Sequence, residues 1–234
     1  MLTVTVDTKE IERKLSEAPG QIRYATQMGL NKTAYDIRDG VKKEMTQTFD
    51  RPTPYTLNSL KVDTAKPSNL AAEVNFKGKP SGHYLKPQVF GGGRPLKIFE
   101  RNYDKTNPGG NYLIPGTKKG QGPPLDRYGN VSGAQILRML SVLGQAREGQ
   151  NETTKSRQRK IRQLKPIKNF VVINGNIYER IQRNLKLWFF KPKNAPAYKP
   201  TLQYDKVSKR ISDERLQINM HKGLMMAFKR AGLT

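Results

Sequence analysis

The chain has no cysteine, only two histidines and only 19 acidic residues in 234. Disulfides and thiolate metal sites are thereby excluded. His83 and His221 lie far apart in sequence and share no ligand spacing, so each reads as a surface or interface residue. No apolar run approaches the roughly 18 residues that a membrane-spanning helix needs, and no signal segment precedes the charged start. The chain is therefore expected to work in the cytosol or within a particle assembled there. A nucleophile elbow, a Walker loop and an HExxH helix are all missing, so no enzymatic activity, cofactor or metal is expected. Apolar residues make up 35% and mean hydropathy is −0.75. Much of the chain is expected to lie in loops, or to order only against partners.

What the chain has in excess is positive charge. Its 43 lysines and arginines give a formal net charge of +24. A field of that size attracts polyanions or acidic protein surfaces, and composition alone does not separate the two. The charge is densest in Arg147–Lys168, which has eight basic residues, two acids and almost no apolar content. This stretch reads as a basic segment, mobile over 147–165. Lys155, Arg157, Arg159, Lys160, Arg162, Lys165 and Lys168 are the candidate contacts to DNA or to an acidic partner. Each phosphate contact would steepen the salt dependence of binding. No aromatics interleave with them, so base stacking is not indicated.

The order of elements follows from periodicity and breakers. Leu2–Val6 alternates as a short strand, and a helix burying Ile11 and Leu15 follows it. The organising stretch is Ala18–Phe49. Leu30, Ala34, Ile37, Val41, Met45 and Phe49, with Ile22 and Ala25 upstream, form one face of a long helix. Pro19 suits its first turn, Pro52 and Pro54 forbid its continuation, and Gly29 and Gly40 weaken it by about 1 kcal/mol each. Leu60–Ala65 and Leu70–Phe76 read as an antiparallel hairpin turning at Lys66–Asn69. A short helix is predicted near Leu96–Tyr103, and a loop over Thr106–Pro124, which holds five glycines and four prolines. Another helix, capped by Ser132 and ending near Gly144, carries Ile136, Leu137, Leu140 and Leu143. Asn174-Gly175 is a hairpin turn. Leu185–Phe190 is a strand whose Trp188-Phe189-Phe190 cluster reads as core. Gln203–Arg230 is a second long helix, with Val207, Ile211, Leu216, Ile218, Leu224, Met225 and Phe228 as candidate core.

These elements give an α+β fold: the long N-terminal and C-terminal helices packed on an antiparallel sheet, with a large Gly/Pro-rich loop insertion. Residues 1–78 and 166–234 are expected to form one core domain. Residues 79–165 form the insertion, with its short helix near 132–144. Gly91-Gly92-Gly93-Arg94 lacks the preceding buried strand and the spacing of a phosphate loop, and reads as a flexible bend. Nothing in the spacing brings Glu100 and Asp126 together as a carboxylate pair.

The stretches LNKTAYDIRDGVKKEM (30–45), TFDRPTPYTLNSLKV (48–62), HYLKPQVFGGGRPLKIFE (83–100) and LDRYGNVSGAQILRMLS (125–141) carry a family resemblance. The chain resembles the minor tail protein Z, or tail-completion and neck, family of tailed bacteriophages. The resemblance covers most of the chain and implies a non-enzymatic virion protein at the head–tail junction. It implies a homo-oligomeric ring that meets portal, connector and tail proteins, with non-specific contact to packaged DNA. Head-to-tail packing in a ring uses two different surfaces of each chain. Tyr84, Phe90, Arg94, Tyr112 and Tyr128 are the candidate residues of a subunit-interface loop. The alternative function is DNA binding through 147–168.

Overall fold

The computed structural model describes residues 19–78, 83–106, 111–144 and 169–230. In chain order the elements are α1 (Pro19–Thr48), α2 (Pro54–Leu57), β1 (Leu60–Asp63), β2 (Glu73–Phe76), α3 (Lys86–Phe90), β3 (Gly92–Gly93), α4 (Ile98–Thr106), β4 (Ile114–Pro115), α5 (Gly133–Val142), β5 (Phe170–Ile173), β6 (Asn176–Ile181), β7 (Asn184–Phe190), β8 (Ala197–Tyr198) and α6 (Tyr204–Arg230). The fold is α+β, with long helices near both ends and antiparallel sheets between them. The strand expected at Leu2–Val6, the helix carrying Ile11 and Leu15, and the basic residues Lys155 to Lys168 all lie outside the described residues.

The chain divides into two compact units, residues 1–89 with 200–234 and residues 90–199. The expected division at 79–165 is corrected by this finding. Residues 166–199 belong with the supposed insertion, because their apolar side chains bury there. Phe170, Ile177, Trp188 and Phe189 share one core with Tyr103, Leu113, Met139 and Leu140. Those last four come from the segment expected to be a Gly/Pro-rich loop insertion.

In the first unit, α1 packs along α6. Along α1, Ala25, Gly29, Thr33, Val41 and Met45 are buried at four-residue steps, with half-buried Ile37 in step, and Ala34 is buried beside this row. On α6 the matching row is Val207, Ile211, Asn219, Gly223 and Ala227. Residues four apart form inclined ridges, and two such ridges interdigitate in the commonest class of helix packing. A four-residue row drifts around a helix of 3.6 residues per turn. For that reason the apolar stripe expected on α6 is partly wrong: Ile218 and Met225 are 45% and 47% exposed, while Asn219, Gly223 and Ala227 fill the interface.

The β1–β2 hairpin pairs Leu60 with Phe76 and Val62 with Val74, and turns at the Lys66–Asn69 bridge as expected. It is held to α1 by a side-chain clamp on Ala65. Asn31 accepts the Ala65 N–H at 2.7 Å and returns its own amide to the Ala65 carbonyl at 3.2 Å, joined there by Gln27 at 3.1 Å. Val41, Met45, Leu60, Leu85, Leu202 and Val207 complete this core.

In the second unit the four-stranded antiparallel sheet has the order β4-β7-β6-β5. Asn174 (φ 50°) and Gly175 (φ 78°) make the predicted tight turn, since both take left-handed backbone angles. Between β6 and β7 the register slips: Ile177 opposes Phe189, but Tyr178 opposes Leu187. The extra residue in this bulge is Trp188. A bulge lets two successive side chains turn to one face, which is how Trp188 and Phe189 are both buried. Phe170 meets Trp188 edge-on at 4.5 Å, and the Trp188 indole N–H donates to Glu179 at 2.7 Å. Opposite lies α5, capped as predicted: Ser132 accepts the Gln135 N–H, and the Gln135 side chain accepts the Ser132 N–H.

Candidate functional site

The five residues expected on one interface loop fall into different surroundings. Tyr84 belongs to the first unit, and Phe90, Arg94, Tyr112 and Tyr128 to the second. Arg94 is not a free surface cation. It forms a two-armed ion pair with Glu100, Nη1 to Oε2 and Nη2 to Oε1, both 2.6 Å. The Glu100 side chain is fully buried and that of Arg94 is 11% exposed. The two carboxylate oxygens also accept the backbone N–H groups of Lys97 (2.6 Å) and Leu113 (3.0 Å). The Arg94 guanidinium further donates to the Tyr198 hydroxyl on β8 at 3.3 Å and lies 5.1 Å from the Tyr112 ring centre. Tyr112 closes the circuit by donating its hydroxyl to the Arg94 carbonyl at 3.0 Å. The hydrogen bonds to Glu100 push the Arg94 pKa above its usual value, against the cost of burial.

This cluster does structural work. It ties the Gly-rich turn, the start of α4, the Leu113 strand entry and β8 to one buried carboxylate. The expected flexible bend is therefore a fixed one. Gly91 and Gly92 take φ of 74° and 86°, and Gly92–Gly93 pairs as β3 with β8. Of the expected interface residues, the structure brings Arg94 and Tyr112 together. Tyr128 stands apart in a turn where Asp126 accepts the N–H groups of Tyr128 and Asn130, both at 2.9 Å. Arg127 covers the Tyr128 ring at 4.7 Å.

The first unit carries an aromatic row, exposed at its outer end, that sequence order disguised. Tyr55 stacks on Tyr84 (6.1 Å between ring centres), Tyr84 meets His83 (4.6 Å), His83 stacks on Phe76 (4.8 Å), and Phe76 meets Tyr204 (5.7 Å). The row runs from Tyr55, which is 77% exposed, inward to Tyr204, whose hydroxyl donates to the Val74 carbonyl. RPTPY and HYLKP supply three of its five rings, and Phe76 and Tyr204 come from elsewhere in the chain.

His83 makes this row sensitive to pH. Its Nδ1 accepts the Leu85 N–H at 3.3 Å, and burial holds its pKa below the ordinary value. A depressed histidine pKa means that the unfolded chain binds the proton more readily. Stability is then complete above the unfolded pKa of about 6.5 and falls as pH drops below it, by no more than about 1.4 kcal/mol per pH unit for one group. Thermal melts of the first unit from pH 7.5 to 5 are expected to show this loss, and His83→Phe is expected to flatten it. An unchanged slope in that variant would assign the effect to other groups.

Asp36 sits where α1 meets α6, with the Asn219 amide donating to its carboxylate at 2.8 Å and to Thr33 at 3.1 Å. Burial pushes the Asp36 carboxyl up. Hydrogen bonds from Lys32 and Asn219, and the charges of Lys32 and Arg215, more than offset that and hold it below the usual range. This polar group fixes the lengthwise register of two otherwise apolar and small-residue ridges.

Charge is distributed unevenly between the units. Residues 90–199 hold 22 of the 43 basic residues and six of the 19 acids, a net +16. Among the described residues, no helix is long and apolar enough to cross a membrane. The chain matches no protein-family model, no curated protein and no solved structure.

Proposed function

We propose that the chain is a non-enzymatic structural subunit of a tailed-phage virion, acting at the head–tail junction in tail completion or as part of the neck or connector ring. The observation that carries this reading beyond the sequence resemblance is the pairing of fold and charge. A helical unit with an aromatic row whose outer members, Tyr55 and Tyr84, are exposed is joined to a sheet unit with a net charge of +16. Two surfaces of different chemistry on one chain are what head-to-tail packing in a closed ring requires. A ring multiplies the charge of each subunit, which suits a channel carrying DNA or a contact with an acidic portal. The polar cluster that most looks like a site, Arg94 with Glu100, is occupied in holding the fold. On this reading the partners are further copies of the chain, portal or connector proteins and tail proteins, and the protein is assembled in the host cytoplasm into the virion.

The deciding measurement is particle mass by light scattering, with and without the candidate portal or connector protein. A monomer that becomes a stoichiometric ring only in the partner's presence is the expected outcome. A second reading, favoured by the charge of residues 90–199, is direct DNA binding through Lys155, Arg157, Arg159, Lys160, Arg162, Lys165 and Lys168. It requires a chain that ignores the partner but binds short duplex DNA. Its log affinity would fall with log salt by about 0.9 for each phosphate neutralised, and the slope would shrink when those residues are changed to glutamine.

A further inference from the structure

The sheet of the second unit ends on β5, and among the described residues β5 is an unguarded edge. The phase of its pairing is fixed by the Arg180 N–H, which donates to the Asn169 carbonyl at 2.5 Å. In an antiparallel ladder, hydrogen-bonded pairs alternate with non-bonded ones. Asn169 with Arg180, Val171 with Tyr178 and Ile173 with Asn176 are then the bonded pairs. Phe170 and Val172, opposite Glu179 and Ile177, turn their N–H and C=O groups away from β6. Among the described residues nothing pairs with that outer side. Sheet edges are ordinarily blunted by lysine, proline, a bulge or an inward charge. The β5 sequence FVVI has none of these, and Val172 and Ile173 are 39% and 41% exposed.

We propose that this edge takes up an extended, acidic segment of a partner protein as an added strand. Main-chain bonds from Phe170 and Val172 would supply affinity, and alternate side chains would lie beside Val172 on one face and Val171 and Ile173 on the other. Charge selects the occupant. The unit carries a net +16, and three of its six acids are engaged within the chain. Glu100 binds Arg94, Glu179 accepts from Trp188 and Asn169, and Asp126 holds its turn. A second copy of this edge would meet like charge, whereas a segment alternating glutamate with valine meets opposite charge and apolar neighbours. This inference is independent of the virion reading, because it needs only the edge and the charge.

The test uses the full chain and a fluorescent synthetic peptide alternating glutamate and valine, followed by anisotropy. The peptide is expected to bind, and a version N-methylated at every peptide bond, which retains the charge but has no main-chain N–H on either edge, is expected to bind at least about tenfold more weakly. Val172→Pro removes one outward N–H and no bond to β6, so the sheet is retained, and the same loss is expected. Val172→Ala, which keeps the N–H, is expected to bind within about threefold of the unaltered chain. Equal binding of the N-methylated peptide would reduce the attraction to charge and overturn the proposal, as would failure of the parent peptide to bind. Self-association abolished by Val172→Pro would give the edge to a second copy instead, and oligothymidylate binding abolished by it would give the edge to nucleic acid. Either result overturns the proposal. Should Val172→Pro fail to fold, the N-methylated peptide on the unaltered chain decides alone.

Discussion

Glu100→Ala is expected to destabilise the second unit by about 3–5 kcal/mol, the usual cost of stranding one partner of a buried ion pair. The cost arises from what is left behind. The Arg94 guanidinium stays buried with two of its donors unpaired, and the N–H groups of Lys97 and Leu113 lose their acceptor. Glu100→Gln is expected to be nearly as damaging, because each carboxylate oxygen accepts two donors and an amide NH2 would point at two of them. The paired change Arg94→Met with Glu100→Leu removes both charges and is expected to cost less than Glu100→Ala. Trp188, the sole tryptophan, is buried in the same unit and reports its unfolding in urea separately from the helical unit. A shift below about 1 kcal/mol for Glu100→Ala would mean that water or a side-chain rearrangement compensates the charge.

Most of the local structure was legible because it is written in short-range signals. Pro19 sits at a helix start, Ser132 caps α5, and Asn174-Gly175 turns a hairpin, each for a reason contained within a few residues, whereas Pro54, read only as a stop in an extended RPTPY stretch, opens the short helix α2. What sequence order hid was pairing at long range. Phe170, Ile177 and Trp188 look the same whether their partners are α1 and α6 or the 90–144 segment. The latter looked like a loop insertion because its apolar residues (Tyr103, Leu113, Met139 and Leu140) are scattered among glycines, prolines and charges. Arg94 was legible as an unusual residue in GGGRP but not as a buried one. Its partner Glu100 lies on the next helix, inside a run of charges that reads as solvated. The aromatic row was hidden in the same way, since Tyr55, Phe76, Tyr84 and Tyr204 come from four separate segments. On α6 the failure was one of period. Counting large apolar residues pointed to Ile218 and Met225, whereas the helix that actually faces α6 presents small residues and selects for small residues in return.

That close approach yields the second large effect. Gly223→Ala is expected to destabilise the first unit by about 1–3 kcal/mol or more, the range for overpacking a well-filled interface. A Cβ on Gly223 would fall 2.5 Å from the Ala25 carbonyl oxygen and 3.3 Å from the Gly29 nitrogen, both main-chain atoms of α1. Neither moves unless the whole helix moves. The penalty must also exceed the roughly 1 kcal/mol that alanine gains over glycine within a helix. Gly29→Ala is expected to behave similarly, since its Cβ would meet the Met220 main chain at 2.9 Å as well as the flexible sulfur at 2.5 Å. Gly40→Ala is the contrast. Its Cβ would meet Ile211 at 2.0 Å, but only at the Cδ1 tip, which can rotate aside. There the helix-propensity gain and the cost of turning one side chain come close to cancelling. Far-ultraviolet ellipticity, dominated by the 30-residue α1 and the 27-residue α6, follows all three variants through a thermal melt. The predicted order of stability is Gly40→Ala above Gly29→Ala and Gly223→Ala. Equal melting of Gly223→Ala and Gly40→Ala would show that the helices can separate at no cost. In that case the four-residue ridge of small side chains would not set their spacing, and the glycines would be the simple weaknesses that helix propensity alone makes them.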